Sequence, residues 1–294
     1  MRRPVLSTQA KIRAARWIYF GVAAVRKLFG RPRVVSARRH DITFELDLAE
    51  GIDLAIYLFG SFEAQTRRVL ARLVGPGDIV LDIGANVGAH TLPLAKAVGP
   101  AGRVIAFEPT DLAFRRLRRN LQLNPELASR VTAAQVYLDD GIGDVVRFFY
   151  ASWRLDSRSD QHPKHFGSFA AAANAARSTL DDYLKESRIT RVDAIKVDVD
   201  GFESRVLRGA HETLARHRPA IVLELCPYAL EERGSSLAEL LHLLTAAEYR
   251  LYDERGFHPM PSDARRLSAL IAPDSSINVV ALGVDRTPAH VKLM

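Results

Sequence analysis

The residues best suited to chemistry in this 294-residue chain are acids that close apolar runs: Asp82, Glu108, Asp139 and the pair Asp198 and Asp200. Asp82 opens the run Asp82-Ile83-Gly84-Ala85-Asn86-Val87-Gly88. Gly84 and Gly88 allow a tight turn and a close backbone approach to a ligand. Asn86 tolerates left-handed backbone angles better than most residues, so the turn survives there. The loop lacks the G-x-G-x-x-G pattern of a pyrophosphate-binding turn, which points to a ligand without a diphosphate. S-adenosylmethionine is such a ligand, with an amino acid end, a sulfonium and a nucleoside. Asp82, Gly84, Ala85, Asn86 and Gly88 are its candidate contacts, with Asp82 taking the amino group directly or through water.

Glu108 follows Gly84 by 24 positions and ends the run RVIAFE. A carboxylate has two acceptor oxygens and no donor, which matches the two hydroxyls of a ribose. The plainer role is a capping or solvated acid before Pro109. Asp139 and Asp140 end the next apolar run. Either can accept from an adenine amino group or cap the following turn, and Asp139 is the candidate carried forward.

Asp198 ends the run DAIKVDV, with Lys196 two residues earlier on the same strand face. It is the first candidate for a general base, with His90 and Glu224 behind it. Its alternative is structural, satisfying backbone donors before Gly201. The Asp198-Val199-Asp200 spacing also fits the D-x-D that holds Mg²⁺ with phosphates in many glycosyltransferases. His162 and His165 are spaced for a metal but lack a convincing third ligand, so no metal site is expected.

These groups need a frame. Buried-strand patterns fall at Asp78–Ile83, Arg103–Glu108, Val131–Leu138, Asp193–Val199 and Ala220–Leu225, with further strands at Val145–Tyr150, Arg250–Asp253 and Ile277–Leu282. Helical patterns fall at Gly88–Val98, Asp111–Leu123, Phe202–His217 and Ser236–Glu248, with Asp111 and Ser235 or Ser236 as caps. Such alternation predicts a doubly wound α/β sheet with helices on both faces, and ligands bind beyond the C-terminal strand ends at its switch point. Every acid above falls at such an end. Residues 151–177 break the alternation and read as a substrate-facing lid, or as a disordered loop.

Composition bounds the partners. Apolar residues make up 48% of the chain, enough for a sizeable core, and the one cysteine, Cys226, excludes an internal disulfide. The net charge of +7 is uneven: residues 1–40 hold nine Arg, two Lys and no acid, leaving 30 basic and 34 acidic residues elsewhere. The basic arm, not the whole chain, carries the positive charge, so nucleic acid is not the expected partner. Ala10–Phe29 reads as a helix, with Ile12, Ala15, Tyr19, Val22, Val25 and Phe29 at roughly helical spacing. It is too short in apolar residues to span a membrane, which needs about 20. It would brace the main domain or lie on an anionic membrane surface. The expected organisation is a basic arm over 1–40 and one domain over 41–294 with its core at 62–283. The expected location is cytoplasmic, with a peripheral membrane association through the arm.

Four segments, DIGANVGAHT (82–91), FEPTDLAFRRLRRNLQLN (107–124), STLDDYL (178–184) and DAIKVDVDGFESRVLRGAHETLARHRPAIVLE (193–224), resemble the FkbM-type methyltransferases. The resemblance covers roughly Phe62–Glu224. It implies a Rossmann-like class I fold, a mostly parallel seven-stranded sheet with a final antiparallel strand. It also implies S-adenosyl-L-methionine as donor and O-methylation of a sugar, glycolipid or natural-product hydroxyl. Asp82, Gly84, Asn86 and Gly88 match the donor loop, Glu108 the ribose acid, and Asp198 and Asp200 the turn facing the active site. Asp200 stands where the family more often has Glu, His90 where Tyr or another bulky residue is common, and Tyr137 where a small residue is common. Competing readings are a nucleotide-sugar transferase or dehydrogenase, which would need a diphosphate-binding turn, and a non-catalytic adaptor docked on a membrane by its arm.

Overall fold

The computed structural model describes residues 8–144, 146, 148–151, 153–156 and 167–286. A long helix, α1 (Thr8–Leu28), leads to a hairpin of β1 (Val34–Arg39) and β2 (Ile42–Asp47), then α2 (Gly51–Phe59) and α3 (Ala64–Leu73). The alternating part begins with β3 (Ile79–Ile83), α4 (Thr91–Ala97), β4 (Arg103–Phe107), α5 (Asp111–Gln122), α6 (Pro125–Ala128) and β5 (Val131–Ala134). Four short strands follow, β6 (Val136–Leu138), β7 (Phe148–Ala151), β8 (Ser168–Ala171) and β9 (Ala176–Ser178). The chain continues through α7 (Leu180–Glu186), β10 (Ala194–Val197), α8 (Glu203–Arg208), α9 (His211–His217) and β11 (Ala220–Leu225). It ends with α10 (Pro227–Glu232), α11 (Leu237–Ala246), β12 (Tyr249–Asp253), α12 (Ala264–Ser268) and β13 (Ile277–Gly283).

Seven strands form one sheet in the order β12-β13-β11-β10-β3-β4-β5. Neighbours from β11 to β5 run parallel, and β13 runs antiparallel to both β11 and β12. This is the mostly parallel, seven-stranded class I arrangement with one reversed strand. The central strands are apolar on both faces because helices cover both; β10 is buried at all four positions. The chain leaves β3 toward β4 and β5, then returns to β10 on the other side. The switch point therefore lies between β3 and β10, where the crevice opens.

Several elements differ from the sequence expectation for local reasons. The helix after β3 begins at Thr91, not at Gly88, because Gly88 holds a left-handed φ of 90° that a helix cannot contain. The expected strand 131–138 divides at Gln135. Its first half pairs with β4, and its second half, β6, pairs with β9 instead. The expected helix 202–217 breaks at Gly209, where a Cβ would lie 2.0 Å from the Asp139 carbonyl oxygen. Two chain segments approach too closely there for any side chain. Thr110, not Asp111, holds the cap position of α5, and Ser236 caps α11 by accepting from the Glu239 N–H at 3.1 Å.

Of the segment 151–177, the described part supplies β8 and β9 and the residues around Trp153. Its remainder, including His162 and His165, lies outside the described residues. Of the strand expected at Val145–Tyr150, Val145 and Arg147 lie outside the described residues, and Phe148–Tyr150 fall in β7, which pairs antiparallel with β8. Helix α1 packs Ile12 and Tyr19 inward, Tyr19 joining the cluster of Ile42, Phe44 and Leu46 on the hairpin. Val25 and Phe29, expected on the same apolar stripe, are exposed instead. Cys226 is buried, in line with its apolar surroundings. Among the described residues no helix is long and apolar enough to cross a membrane.

Candidate active site at the sheet switch point

The loop after β3 is built by backbone geometry. The Gly84 and Ala85 N–H groups both donate to the Phe107 carbonyl, at 3.0 and 2.9 Å. Gly84 has φ 79°, and a Cβ on it would lie 1.8 Å from the Asp198 carbonyl oxygen. The end of β10 therefore closes directly onto the loop. Asn86 takes φ 48°, the left-handed angle its side chain tolerates. Gly88 gives room to α5, since a Cβ would meet Leu117 Cδ1 at 2.9 Å.

Register brings the charges together. Lys196 of β10 lies directly beside Asp82 of β3, so their side chains share a face. The Lys196 ammonium donates to the Gly84 carbonyl at 2.9 Å and sits 3.3 Å from Asp198 and 3.5 Å from Asp82. Burial by itself would release its proton, but Asp198, Asp82 and Glu63 outweigh that and raise its pKa. Asp82 is fully buried and also accepts from the Thr91 hydroxyl at 2.6 Å.

Glu108, at the end of β4, is buried. One of its oxygens accepts from the Asn86 N–H at 2.8 Å, and the other from the Thr110 N–H and hydroxyl at 2.8 and 2.6 Å. Burial raises its pKa despite these bonds. Glu224, near the end of β11, is raised too, by burial and then by the charges of Asp198 and Glu63.

These strand ends enclose a cavity lined by Gly84, Ala85, Asn86, Glu108 and Asp198. Its acids are Glu63, Glu108, Asp198, Asp200 and Glu224, against a single Lys196. Such a lining favours a cationic ligand. Asn86 Oδ1 is buried with no hydrogen-bond partner among the described residues, an acceptor left for a ligand.

Three expected contacts fall outside the lining. Asp82 sits behind the loop, turned toward Thr91 and Lys196. Gly88 faces α5. Asp139 points away from the cavity, because Arg177 clasps its carboxylate at 2.7 Å and the Gly141 N–H takes one oxygen at 2.9 Å. From β6, Val136, Tyr137 and Leu138 line the cavity, and the Tyr137 ring meets Phe202 edge-on at 5.8 Å. The family Glu position, filled by Asp200, is at the lining with a left-handed φ of 50°. Among the described residues no group of three or more His, Cys, Asp or Glu side chains is arranged to hold a metal ion.

Sequence reasoning missed the wall opposite the strand ends. Ile52 of α2, Phe62, Glu63 and Trp153 all line the cavity. Phe62 stacks obliquely between Trp153 and His90, with ring centroids 6.1 and 6.2 Å away. The Trp153 carbonyl accepts from the Gly51 N–H at 2.9 Å, which ties it to the start of α2. His90 is buried, with Nε2 3.6 Å from Glu63. Phe62 and Glu63 precede α3 with no motif around them, and Trp153 lies in a stretch without periodicity, so no sequence signal marked them.

Comparison with known proteins gives the same direction. The Methyltransferase FkbM domain family model matches residues 82–251. The 2-O-methyltransferase NoeI of Sinorhizobium fredii is 27% identical over 202 residues, covering 65% of this chain and 80% of that protein. Methyltransferase sdnD of Sordaria araneosa is 28% identical over 159 residues, covering 45% of this chain and 60% of that protein. The hexuronic acid methyltransferase AglP of Haloferax volcanii is 25% identical over 198 residues, covering 67% of this chain and 74% of that protein.

Proposed function

The chain belongs to the FkbM methyltransferase domain family, and from that premise we propose that it transfers the methyl group of S-adenosylmethionine to a hydroxyl oxygen of a sugar, glycolipid or natural product. The observation that carries the reading is the contact of Gly84 with the Asp198 turn, which puts the donor loop and a strand-end carboxylate in one acidic cavity. The donor, when bound, supplies an electrophilic methyl carbon on a positively charged sulfur. In this reading Glu108, held by the Asn86 and Thr110 N–H groups, takes the ribose hydroxyls. Asn86 Oδ1 offers its unfilled acceptor to the same ligand. Asp82 acts from behind, fixing Lys196 and through it the Gly84 carbonyl.

A hydroxyl is a weak nucleophile, and a base that takes its proton typically contributes about 10²–10⁴-fold. Asp198 carries that role in this reading: it lines the cavity, with the Lys196 ammonium 3.3 Å from its carboxylate. Glu224 is second, lining the same cavity with its pKa raised by burial and by the charge of Asp198. Holding the reacting atoms about 3–3.5 Å apart and aligned contributes roughly 7–11 kcal/mol more. The aromatic wall of Phe62 and Trp153 suits the flat apolar face of a sugar ring or polyketide. The names of NoeI and AglP, a 2-O-methyltransferase and a hexuronic acid methyltransferase, favour a hydroxyl on a sugar.

Titration calorimetry with S-adenosylmethionine, S-adenosylhomocysteine and NAD tests the donor. Heat with the first two alone is expected, weakened at least tenfold by Glu108→Ala. Binding of NAD, or unchanged affinity in that variant, would remove the reading. A radiolabelled methyl donor offered with sugars, glycolipids and polyketides then tests the acceptor.

A further inference from the structure

Helix α1 has two apolar sides, and only one of them is used. Tyr19 points into the hairpin cluster, and Ile12 is buried on the same side of the helix. The opposite side carries Trp17, Phe20, Gly21, Ala24, Val25 and Leu28, all exposed, and Phe29 continues it past the helix end. Trp17 is 81% exposed and Leu28 80%. Positions 17, 20, 21, 24 and 28 share one face at 3.6 residues per turn, so this is a continuous stripe and not scattered residues. A contiguous apolar face of this kind marks an interaction site.

Charge identifies the occupant. Residues 1–40 hold nine Arg and two Lys without one acid. Arg13, Lys27 and Arg31 are exposed around the stripe. Apolar residues that include a Trp, bordered by cations, are what a helix needs to lie in the interface of an anionic bilayer. A second copy of this chain would bring the same cations face to face, which opposes self-association through this stripe. The inner side of α1 is fastened to the domain, Arg26 donating to the Tyr57 hydroxyl of α2 at 3.3 Å. The helix can thus bind a surface without leaving its place.

We propose that the outer face of α1 docks the protein on anionic lipid bilayers, with Trp17, Phe20 and Leu28 inserted and Arg13, Lys27 and Arg31 at the headgroups. Full-length protein is co-sedimented with vesicles of phosphatidylcholine alone and with vesicles of phosphatidylcholine and phosphatidylglycerol, whose negative surface attracts basic segments. Binding is expected to the anionic vesicles, at least tenfold stronger than to neutral ones, and to weaken steeply as salt rises. Trp17→Ser with Phe20→Ser and Leu28→Ser should reduce it at least tenfold while the melting temperature holds, because these side chains are exposed. Arg13→Glu with Lys27→Glu should reduce it similarly with the apolar face intact. Equal binding to both vesicle types, or no loss in either variant, overturns the proposal. So does a dimer, seen by light scattering, that the triple substitution dissolves while vesicles bind neither form.

Discussion

Lys196 and Asp198 form an ion pair at 3.3 Å in which the ammonium is buried and the carboxylate opens onto the cavity. Lys196 lies on β10 and Asp198 two positions later, in the turn after it, so the two side chains fall on the same side. Their separation in burial gives them different tasks. Lys196 holds the floor, binding Gly84 and Asp82, and Asp198 meets what enters the cavity.

Lys196→Met should cost stability rather than chemistry alone. It leaves Asp82 buried beside no cation, and breaking such a buried pair typically costs about 3–5 kcal/mol. Urea unfolding measures the difference. A loss under about 1 kcal/mol would mean that Lys196 does not hold the strand ends together.

Asp198→Asn keeps the shape of the turn and removes the charge. A fall in kcat of about 10²–10⁴, with S-adenosylmethionine affinity changed less than tenfold, is the expected outcome. Single-turnover kinetics and calorimetry on the same preparation separate the two effects. Full activity would shift the base to Glu224.

Gly84→Ala should abolish donor binding, because the new Cβ would lie 1.8 Å from the Asp198 carbonyl and the φ of 79° disfavours any side chain. Overpacking typically costs about 1–3 kcal/mol, and the strained angle adds to it. Calorimetry and thermal melting of this variant follow both. Wild-type affinity would show that the loop does not contact the donor.

Stability should fall as pH rises through the range where Glu203 ionises. Glu203 is fully buried, accepts from the Val199 N–H at 3.1 Å, and leaves its second oxygen without a partner among the described residues. Burial pushes its pKa from 4.5 up to about 7. The folded state thus keeps this proton where the unfolded chain has lost it. The contribution is complete below pH 4.5 and disappears as pH rises to about 7. A shift of this size is worth about 3 kcal/mol. Glu203→Gln should be progressively more stable than the wild type across that window. A constant difference between the two from pH 4.5 to 7.5 would count against it.

Arg177→Met separates structure from recognition at the end of β6. Asp139 is fully buried and loses its cation, so a destabilisation of about 3 kcal/mol or more is expected. Donor affinity should stay within about threefold of wild type, since Asp139 does not line the cavity. A large loss of affinity with little loss of stability would restore Asp139 to the adenine site.

Much of the architecture was legible because local patterns and strand burial agree. Apolar runs at 78–83, 103–108, 193–199 and 220–225 became β3, β4, β10 and β11, and their terminal acids arrived at the same edge of the sheet. Alternation of strand and helix allows little else, since parallel strands need crossovers and crossovers have one hand. Gly84, Asn86 and Glu108 were readable for the same reason: a strand end, a left-handed turn and an acid leave marks within a few residues. Helix boundaries at Gly88 and Gly209 were not, because each depends on an approach by a distant segment, Leu117 in one case and Asp139 in the other.

By itself the sequence determined the doubly wound sheet, the glycine turn after β3 and the row of acids at its edge, because these follow from periodicity and turn chemistry within one stretch of chain. Tertiary structure alone decided which acids line the cavity. Asp139 and Asp82 were taken out of the cavity by Arg177 and Lys196, cations 38 and 114 positions away in the chain. Glu63, Phe62 and Trp153 were brought in from segments with no pattern of their own. Whether a carboxylate is spent on a neighbour or left for a substrate depends on long-range pairing in low dielectric, and no window of sequence contains that information.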